Sequence, residues 1–559
     1  GISVSSRVRD DVKNQPGLNL NSLGKQNLKN VDEPMEVFAI SEIGDDPPVN
    51  IPRYEGIFRK RLAFAVLAVI IIFSGFYVYK TVSDKSATLE GISSERDSMA
   101  SIAVLPFENM SSDPENEYFS DGMTEEIINA LTKINGLRVA SRTSSFRFKG
   151  EKIDIREVGE KLNVKTILEG SVRKSGSKLR ITAQLINIED GYHIWSEIFE
   201  REMSDVFAIQ DEISQSIANR LKIEFVGKDE FSVAERHTEN LAAYNLYLKG
   251  RFYSNKATKE GLKKGIEYLN LALDKDPLYA LAYSELSKSY AAVGYFNHDL
   301  LPRREAFLKA TVAAKKALEI DDNLAEAHTA LAYVKRTHDW DWKGAEQEFK
   351  RAIELDANDS NAHEFYALYL AAVGRLDEAI KEAKIALELD PVSLNVNQTA
   401  ARIFYYSRRY DRAVDQANIL LDMDPNFTSA YAVLANVYEQ KGKYEQAIDH
   451  YVLSGSLAGS NVEAFWESHQ TFAVSSWTDY WQDVLEWVDS YPDPDRISSI
   501  IRAVLYTRLG QKDKAFEQLE LAYEKREGKL VYIKVDPKFD SLRSDPRFSE
   551  LLKKMGLEH

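Results

Sequence analysis

No cysteine occurs among the 559 residues. Disulfides, thiolate metal sites and thiol nucleophiles are therefore excluded. A cysteine-free chain tolerates a reducing or an oxidising compartment, so this absence does not locate it. Excess basic charge is missing too. The net charge of −16 argues against a nucleic-acid partner, which needs a basic face, and against broad adhesion to anionic lipid. No G-x-x-x-x-G-K-[ST] run is present, so no phosphate-cradling loop is indicated. The acidic cluster Asp113, Glu115, Glu117, Asp121, Glu125 and Glu126 lacks calcium-loop spacing. It reads as solvated turn residues and acids favoured near a helix N-terminus. Paired carboxylates in a glycosidase-like setting are also not recognisable. What is present is the composition of folded globular material, 44% hydrophobic and 28% charged, long enough for several domains.

Residues 62–79 (LAFAVLAVIIIFSGFYVY) carry no charge. At 1.5 Å per residue the run reaches about 27 Å, close to a hydrocarbon core. Every face is apolar, which separates it from an amphipathic core helix. Arg59, Lys60 and Arg61 precede it and Tyr77 and Tyr79 stand near its end. The segment is expected to be a single transmembrane helix with a cytoplasmic N-terminus. Residues 42–61 read as a juxtamembrane segment and 80–100 as a polar linker.

Residues 101–222 alternate strands and helices, as in an α/β domain. Strands are expected at Ser101–Phe107, Arg138–Ala140, Thr166–Val172, Leu179–Asn187 and His193–Phe199. Helices are expected at Glu125–Leu131, Ile155–Leu162 and Asp205–Leu221. Leu179–Asn187 alternates apolar and polar residues, the signature of a half-buried strand. His193 reads as structural, having no nucleophile or acid partner at motif spacing.

From about residue 240 the chain repeats. Small residues fall at Gly265, Ala310, Ala345, Ala379, Ala413, Ala447 and Ala515, mostly 34 residues apart. The double interval before Ala515 implies a degenerate unit with Trp481 at the small-residue position. Gly294, Gly374, Gly442 and Gly510 mark the turn inside a unit. This is the tetratricopeptide (TPR) pattern of paired helices, and about eight units over 240–526 are expected to stack into an all-α superhelix. Residues 527–559 are expected to cap the last unit. The register places Asn361, Glu364, Asn395, Gln398, Arg402, Tyr405, Ser429, Asn436 and Glu439 on the concave face, a polar groove suited to a protein or peptide segment. Phe465, Trp466, Phe472, Trp477, Tyr480, Trp481 and Trp487 are read as filler where small residues are missing. The run 338–342 (HDWDW) is read as an intra-unit turn, because one His and two Asp are not a ligand set.

Two resemblances add to this. Gly1, Ile2, Ser5, Val8, Leu20, Leu23, Gly24, Leu28, Lys29, Asn30, Pro34, Val37 and Phe38 resemble the last stretch of class III adenylate/guanylate cyclase catalytic domains. Residues 1–12 read as an amphipathic helix start and 19–40 as two short strands. Residues 1–41 would then be a short α+β remnant, and the chain a C-terminal piece of a larger protein. The resemblance implies that the metal-binding aspartates and the transition-state Asn and Arg lie upstream. Lys29 falls where some cyclases place a lysine on the nucleotide phosphates. Residues 102–127, 140–146, 168–176 and 191–201 resemble a TolB-like (FlgO-like) domain, for which no catalysis is carried over.

The chain is thus expected to be multidomain: cyclase-like remnant, transmembrane helix, TolB-like α/β domain and TPR superhelix. The expected function is the membrane-anchored regulatory or scaffolding part of a nucleotide cyclase (a lyase), itself inactive. No cofactor is expected in this piece, and magnesium or manganese is implied for the cyclase domain, through which the protein would form a homodimer. The resemblance places the N-terminus in the cytoplasm and the later domains in the periplasm of an inner-membrane protein. The alternative is a non-enzymatic envelope scaffold with a peptide-binding groove.

Overall fold

A computed structural model describes residues 2–5, 18–26, 35–42, 100–132, 134, 136–151, 153–221, 238–296, 300–457, 476–490 and 497–558. The chain forms two compact units, residues 1–96 and 97–559.

The described part of the first unit is a three-stranded antiparallel sheet, β1 (Ile2–Ser5), β2 (Leu18–Gln26) and β3 (Met35–Glu42), in the order β1-β3-β2. Val4 lies opposite Phe38 and Leu20 opposite Ile40, with an irregularity between Ser22 and Lys25. The helix expected to start at residue 1 is a strand over Ile2–Ser5. Ile2 and Val4 are β-branched and alternate with serines, and that period of two prevails. Lys29 and the run 62–79 lie outside the described residues. Among the described residues, no helix is long and apolar enough to cross a membrane.

The second unit opens with a mixed sheet. Its strands are β4 (Ala100–Val104), β5 (Glu108–Asn109), β6 (Leu137–Val139), β7 (Thr166–Ser175), β8 (Lys178–Asn187) and β9 (His193–Glu202). The order is β6-β4-β7-β8-β9, with β5 also on β7. The β4 pairings are parallel, and β7-β8-β9 is an antiparallel meander. Leu179, Ile181, Ala183 and Leu185 point into the core, as the alternation requires. Helices α1 (Glu117–Thr132) and α4 (Val206–Arg220) share that core through Phe119, Met123 and Ile127 and through Ile209, Ile213 and Ile217. Helix α3 spans Ile155–Leu162. Residues 142–146, just past the strand expected at Arg138–Ala140, form the short helix α2 (Arg142–Phe146). The Ser141 hydroxyl accepts from the Ser144 N–H and caps it.

The array then runs in pairs of helices. The first helices are α5 (Leu241–Ser254), α7 (Ala280–Phe296), α9 (Ala325–Val334), α11 (Ser360–Ala372), α13 (Leu394–Tyr406), α15 (Thr428–Gln440) and α18 (Ser499–Arg508). The second helices are α6 (Lys259–Lys275), α8 (Arg303–Ile320), α10 (Trp342–Leu355), α12 (Leu376–Leu389), α14 (Tyr410–Met423), α16 (Tyr444–Leu457), α17 (Trp477–Asp489) and α19 (Lys512–Glu524). Ala310, Ala345, Ala379, Ala413, Ala447 and Ala515 are all fully buried on second helices. Small side chains there let neighbouring helices approach. In the degenerate unit Trp481 is buried instead, edge-on to Trp477, Tyr480 and Tyr451. Phe465, Trp466 and Phe472 lie outside the described residues.

After α19 the chain does more than cap the last unit. Helix α20 (Pro546–Lys554) does lie on α19, with Arg547 on Asp513 at 2.9 Å and Lys554 on Glu520 at 2.8 Å. Between them residues 526–545 form a strap that returns to the middle of the array. Arg526 donates to the carbonyls of His338 (2.7 Å) and Asp339 (3.1 Å), and Lys534 donates to that of Val373 (3.0 Å). Arg408 donates to the Val535 carbonyl (2.7 Å) and binds Asp540 (2.8 and 3.0 Å). The strap therefore rests on three successive intra-unit turns. Gly374 in the middle one, and Gly442 and Gly510 in the equivalent turns of later units, adopt the left-handed backbone, φ 89°, 69° and 69°. Trp340 (φ 59°) and Arg408 (φ 60°) hold the same conformation one repeat before and after Gly374, where a side chain is strained. Both side chains contact the returning segment, Trp340 packing on Tyr523 and Arg526.

Candidate functional site

The inner face of the array is closed over by the chain itself. Helix α1 packs on α5, where a Cβ on Gly122 would meet Leu248 at 2.7 Å. Glu125 and Glu126, expected to be solvated, face Arg251 of α5 at 2.5 and 3.0 Å, and Glu125 also binds Arg142. Glu125 and Arg251 are both buried. Further along, the Ser144 hydroxyl donates to buried Asp390 and accepts from the Val392 N–H at 3.2 Å, and Arg147 donates to the Met423 carbonyl. The α/β domain is thus latched to the array at both α5 and the loop before α13.

Between α1, α2, the first helices α5 to α15 and the strap lies a chamber of about 730 Å³. Its wall includes Asn361, Glu364, Asn395, Gln398, Arg402 and Ser429 of the sequence candidates, with Arg251, Ser284, Arg336 and Tyr532. The other candidates lie elsewhere. Tyr405 is buried with its hydroxyl 3.4 Å from Asp536 of the strap. Asn436 accepts from the Tyr451 hydroxyl at 2.9 Å, and Glu439 holds Arg508 at 2.8 and 2.5 Å. These three sit toward the C-terminal ends of their helices, where the strap and the last unit cover the inner face.

Charge in the chamber is unevenly matched. Among the described residues Arg336 donates to the hydroxyls of Tyr532 (3.3 Å) and Thr337 (3.4 Å), and its Nε meets no partner. Arg402 donates to the Tyr406 hydroxyl at 3.3 Å and lies over the rings of Tyr406 and Tyr532, 4.9 Å from the latter. Glu364 accepts from the Thr399 hydroxyl at 2.8 Å. Burial, with Asp390 adding to it, pushes its carboxyl up to about 7 against Thr399, Arg336 and Arg402. Arg336 was not among the sequence candidates. It stands in the irregular turn Lys335–Asp339, outside the helical register that selected the others.

No metal centre is found among the described residues. His338 stacks on Phe307 with centroids 4.8 Å apart. Burial and the nearby Arg526, Arg303 and Arg304 lower it to about 4.

Residues 341–393 and 399–453 match the tetratricopeptide repeat family. The helical array consists of tetratricopeptide repeats. Residues 98–238 match the family described as HilA/YgeH-like transcriptional regulator, second domain, a different description from the TolB-like resemblance. A protein of Rhizobium meliloti (strain 1021) named Putative adenylate cyclase 3 is 37% identical over 232 residues, 42% of this chain and 39% of that protein. The chain thus spans about two fifths of the length of this relative. Among solved structures, Pseudomonas aeruginosa PilF is 21% identical, covering 46% of this chain and 95% of its own, with a TM-score of 0.28. YrrB, a TPR protein with an unusual peptide-binding site, is 21% identical, covering 35% and 91%, with a TM-score of 0.24.

Proposed function

We propose that this chain is the regulatory, partner-binding part of a membrane-anchored nucleotide cyclase. The observation that carries the reading is the 37% identity over 232 residues to a protein named as an adenylate cyclase. The cyclase-like residues on β1 to β3 support it. The tetratricopeptide repeats supply surfaces for protein partners, and the α/β domain is built into their inner face. Residues 62–79 anchor the chain, with the first unit in the cytoplasm beside its nucleoside triphosphate and the second outside. Lys29 contacts nucleotide phosphate within a homodimer of the whole cyclase, whose magnesium or manganese is held by residues outside this chain.

The test is expression of the whole gene product beside this chain alone. The whole protein should form cyclic AMP or cyclic GMP with manganese or magnesium, and this chain should form neither. A whole protein without turnover would sink the cyclase reading. Protease added outside a permeabilised outer membrane should cut the repeats. If they stay intact while the N-terminal unit is cut, the orientation is reversed. A second reading, a non-enzymatic envelope scaffold, is favoured by the repeats themselves, which need no cyclase to bind a protein.

A further inference from the structure

We propose that the chamber between the α/β domain and the repeats binds a small organic anion, its carboxylate or phosphate held by Arg336 and Arg402. The inference stands whether the chain serves a cyclase or a scaffold.

The chamber's volume of about 730 Å³ lies within the range of small-molecule sites. It is bounded by α1 and α2 on one side and by the strap on the other, so an extended peptide along the groove would have to displace folded chain. A small molecule would not.

The charge pattern selects the ligand class. The other two arginines in the wall are neutralised, Arg142 by Glu125 and Arg251 by Glu125 and Glu126. Arg508, partly buried, sits on Glu439. Arg336 is 3% exposed, yet among the described residues no carboxylate lies within ion-pair distance of it or of Arg402. Buried cations are ordinarily paired, because removing them from water is costly. Here the guanidinium groups of buried Arg336 and partly buried Arg402, with Glu364 of the same wall near enough to feel both but not at ion-pair distance, converge on one ring, Arg336 at the Tyr532 hydroxyl and Arg402 over the Tyr532 face. Planar guanidinium donors match the paired oxygens of a carboxylate or phosphate. Ser284 adds a buried hydroxyl in the wall with no partner of its own, a hydrogen-bonding group for the rest of the ligand.

The test is isothermal titration of the full chain, in low-chloride buffer, with inorganic phosphate, citrate and adenosine monophosphate. At least one should bind saturably at one site per chain. Arg402→Gln should weaken that binding at least tenfold, and Arg402→Lys less. Asn361→Trp keeps both arginines but narrows the chamber from an exposed wall position, so it should weaken citrate or the nucleotide more than phosphate. It also serves if Arg402→Gln fails to fold. Arg351→Gln, on the outer surface, should change nothing. Absence of saturable binding for all three probes overturns the proposal. So does unchanged affinity in folded Arg402→Gln, or in Asn361→Trp for citrate and the nucleotide.

Discussion

His328 uses both ring nitrogens on acceptors: Nδ1 lies 2.7 Å from the Glu348 carboxylate and Nε2 3.0 Å from the Asp322 carbonyl. Glu348 also accepts from Lys335 at 2.8 Å, and the two acceptors around the ring favour the doubly protonated imidazole. The arrangement recurs one repeat on, where His363 meets Glu382 at 2.6 Å and the Ala357 carbonyl at 3.2 Å. In the next repeat Asn397 bridges the Pro391 carbonyl and Gln416. Each pair ties the two helices of a unit to the loop before them.

A pH dependence of stability follows. Burial alone would lower His328, but Glu348 and the Asp322 carbonyl outweigh it and the net shift is upward from 6.5. That contribution is complete below 6.5 and is lost as pH rises through the raised folded value. Burial would raise Glu348, yet His328 and Lys335 lower it below 4.5. Its contribution is complete above 4.5 and is lost as pH falls through the lowered value. Both are present between 4.5 and 6.5. Unfolding free energies of wild type and His328→Gln from urea titration should differ by about 1–3 kcal/mol in that window and converge at alkaline pH. A difference that stays constant to pH 9 would refute the doubly protonated ring.

Glu364 has the opposite signature for an acid. Its folded value of about 7 lies above 4.5, so the fold prefers the protonated form. Stability from this group is present below 4.5 and is lost as pH rises to about 7. Glu364→Gln keeps the Thr399 hydrogen bond in neutral form. The variant should match wild type at pH 4.5 and exceed it at pH 8, by on the order of 3 kcal/mol. Equal melting at both pH values counts against a buried acid.

Breaking the latch at α5 should be expensive. Arg251→Met leaves Glu125 and Glu126 beside an apolar side chain, and loss of one member of a buried ion cluster costs about 3–5 kcal/mol. Chemical denaturation should show it. A loss under 1 kcal/mol would mean that water reaches the pair.

Arg408 separates strain from tethering. Arg408→Ala loses the bonds to Val535 and Asp540 and keeps a Cβ at φ 60°. Arg408→Gly loses the same bonds and removes the strain, so it should be the more stable of the two by about 1 kcal/mol. The reverse order would show that the left-handed turn is not strained.

Much of this architecture is legible in sequence because it is local. The alternation of Leu179–Asn187 and the spacing from Gly265 to Ala515 reflect contacts within a strand or between adjacent helices. Ile2–Ser5 and Arg142–Phe146 are too short for a period to be decisive, and a capping serine settled the second. The candidate site divides along the same line. Register alone reaches Asn361, Glu364, Asn395, Gln398, Arg402 and Ser429 in the chamber wall. It does not reach Arg336, in an irregular turn, and it does not foresee that Tyr405 and Glu439 are covered by chain over 60 residues away in sequence.

The strap changes how such an array comes apart. A linear solenoid frays from its ends, because each repeat touches only its neighbours. Here Trp342 donates to the Met555 carbonyl at 2.7 Å, and Arg526 and Arg408 fasten the returning segment to the middle of the array. The last unit therefore cannot peel away while its tail stays moored to the third and fifth. A pull on the C-terminus is borne first by the centre of the molecule, and unfolding there releases several repeats together.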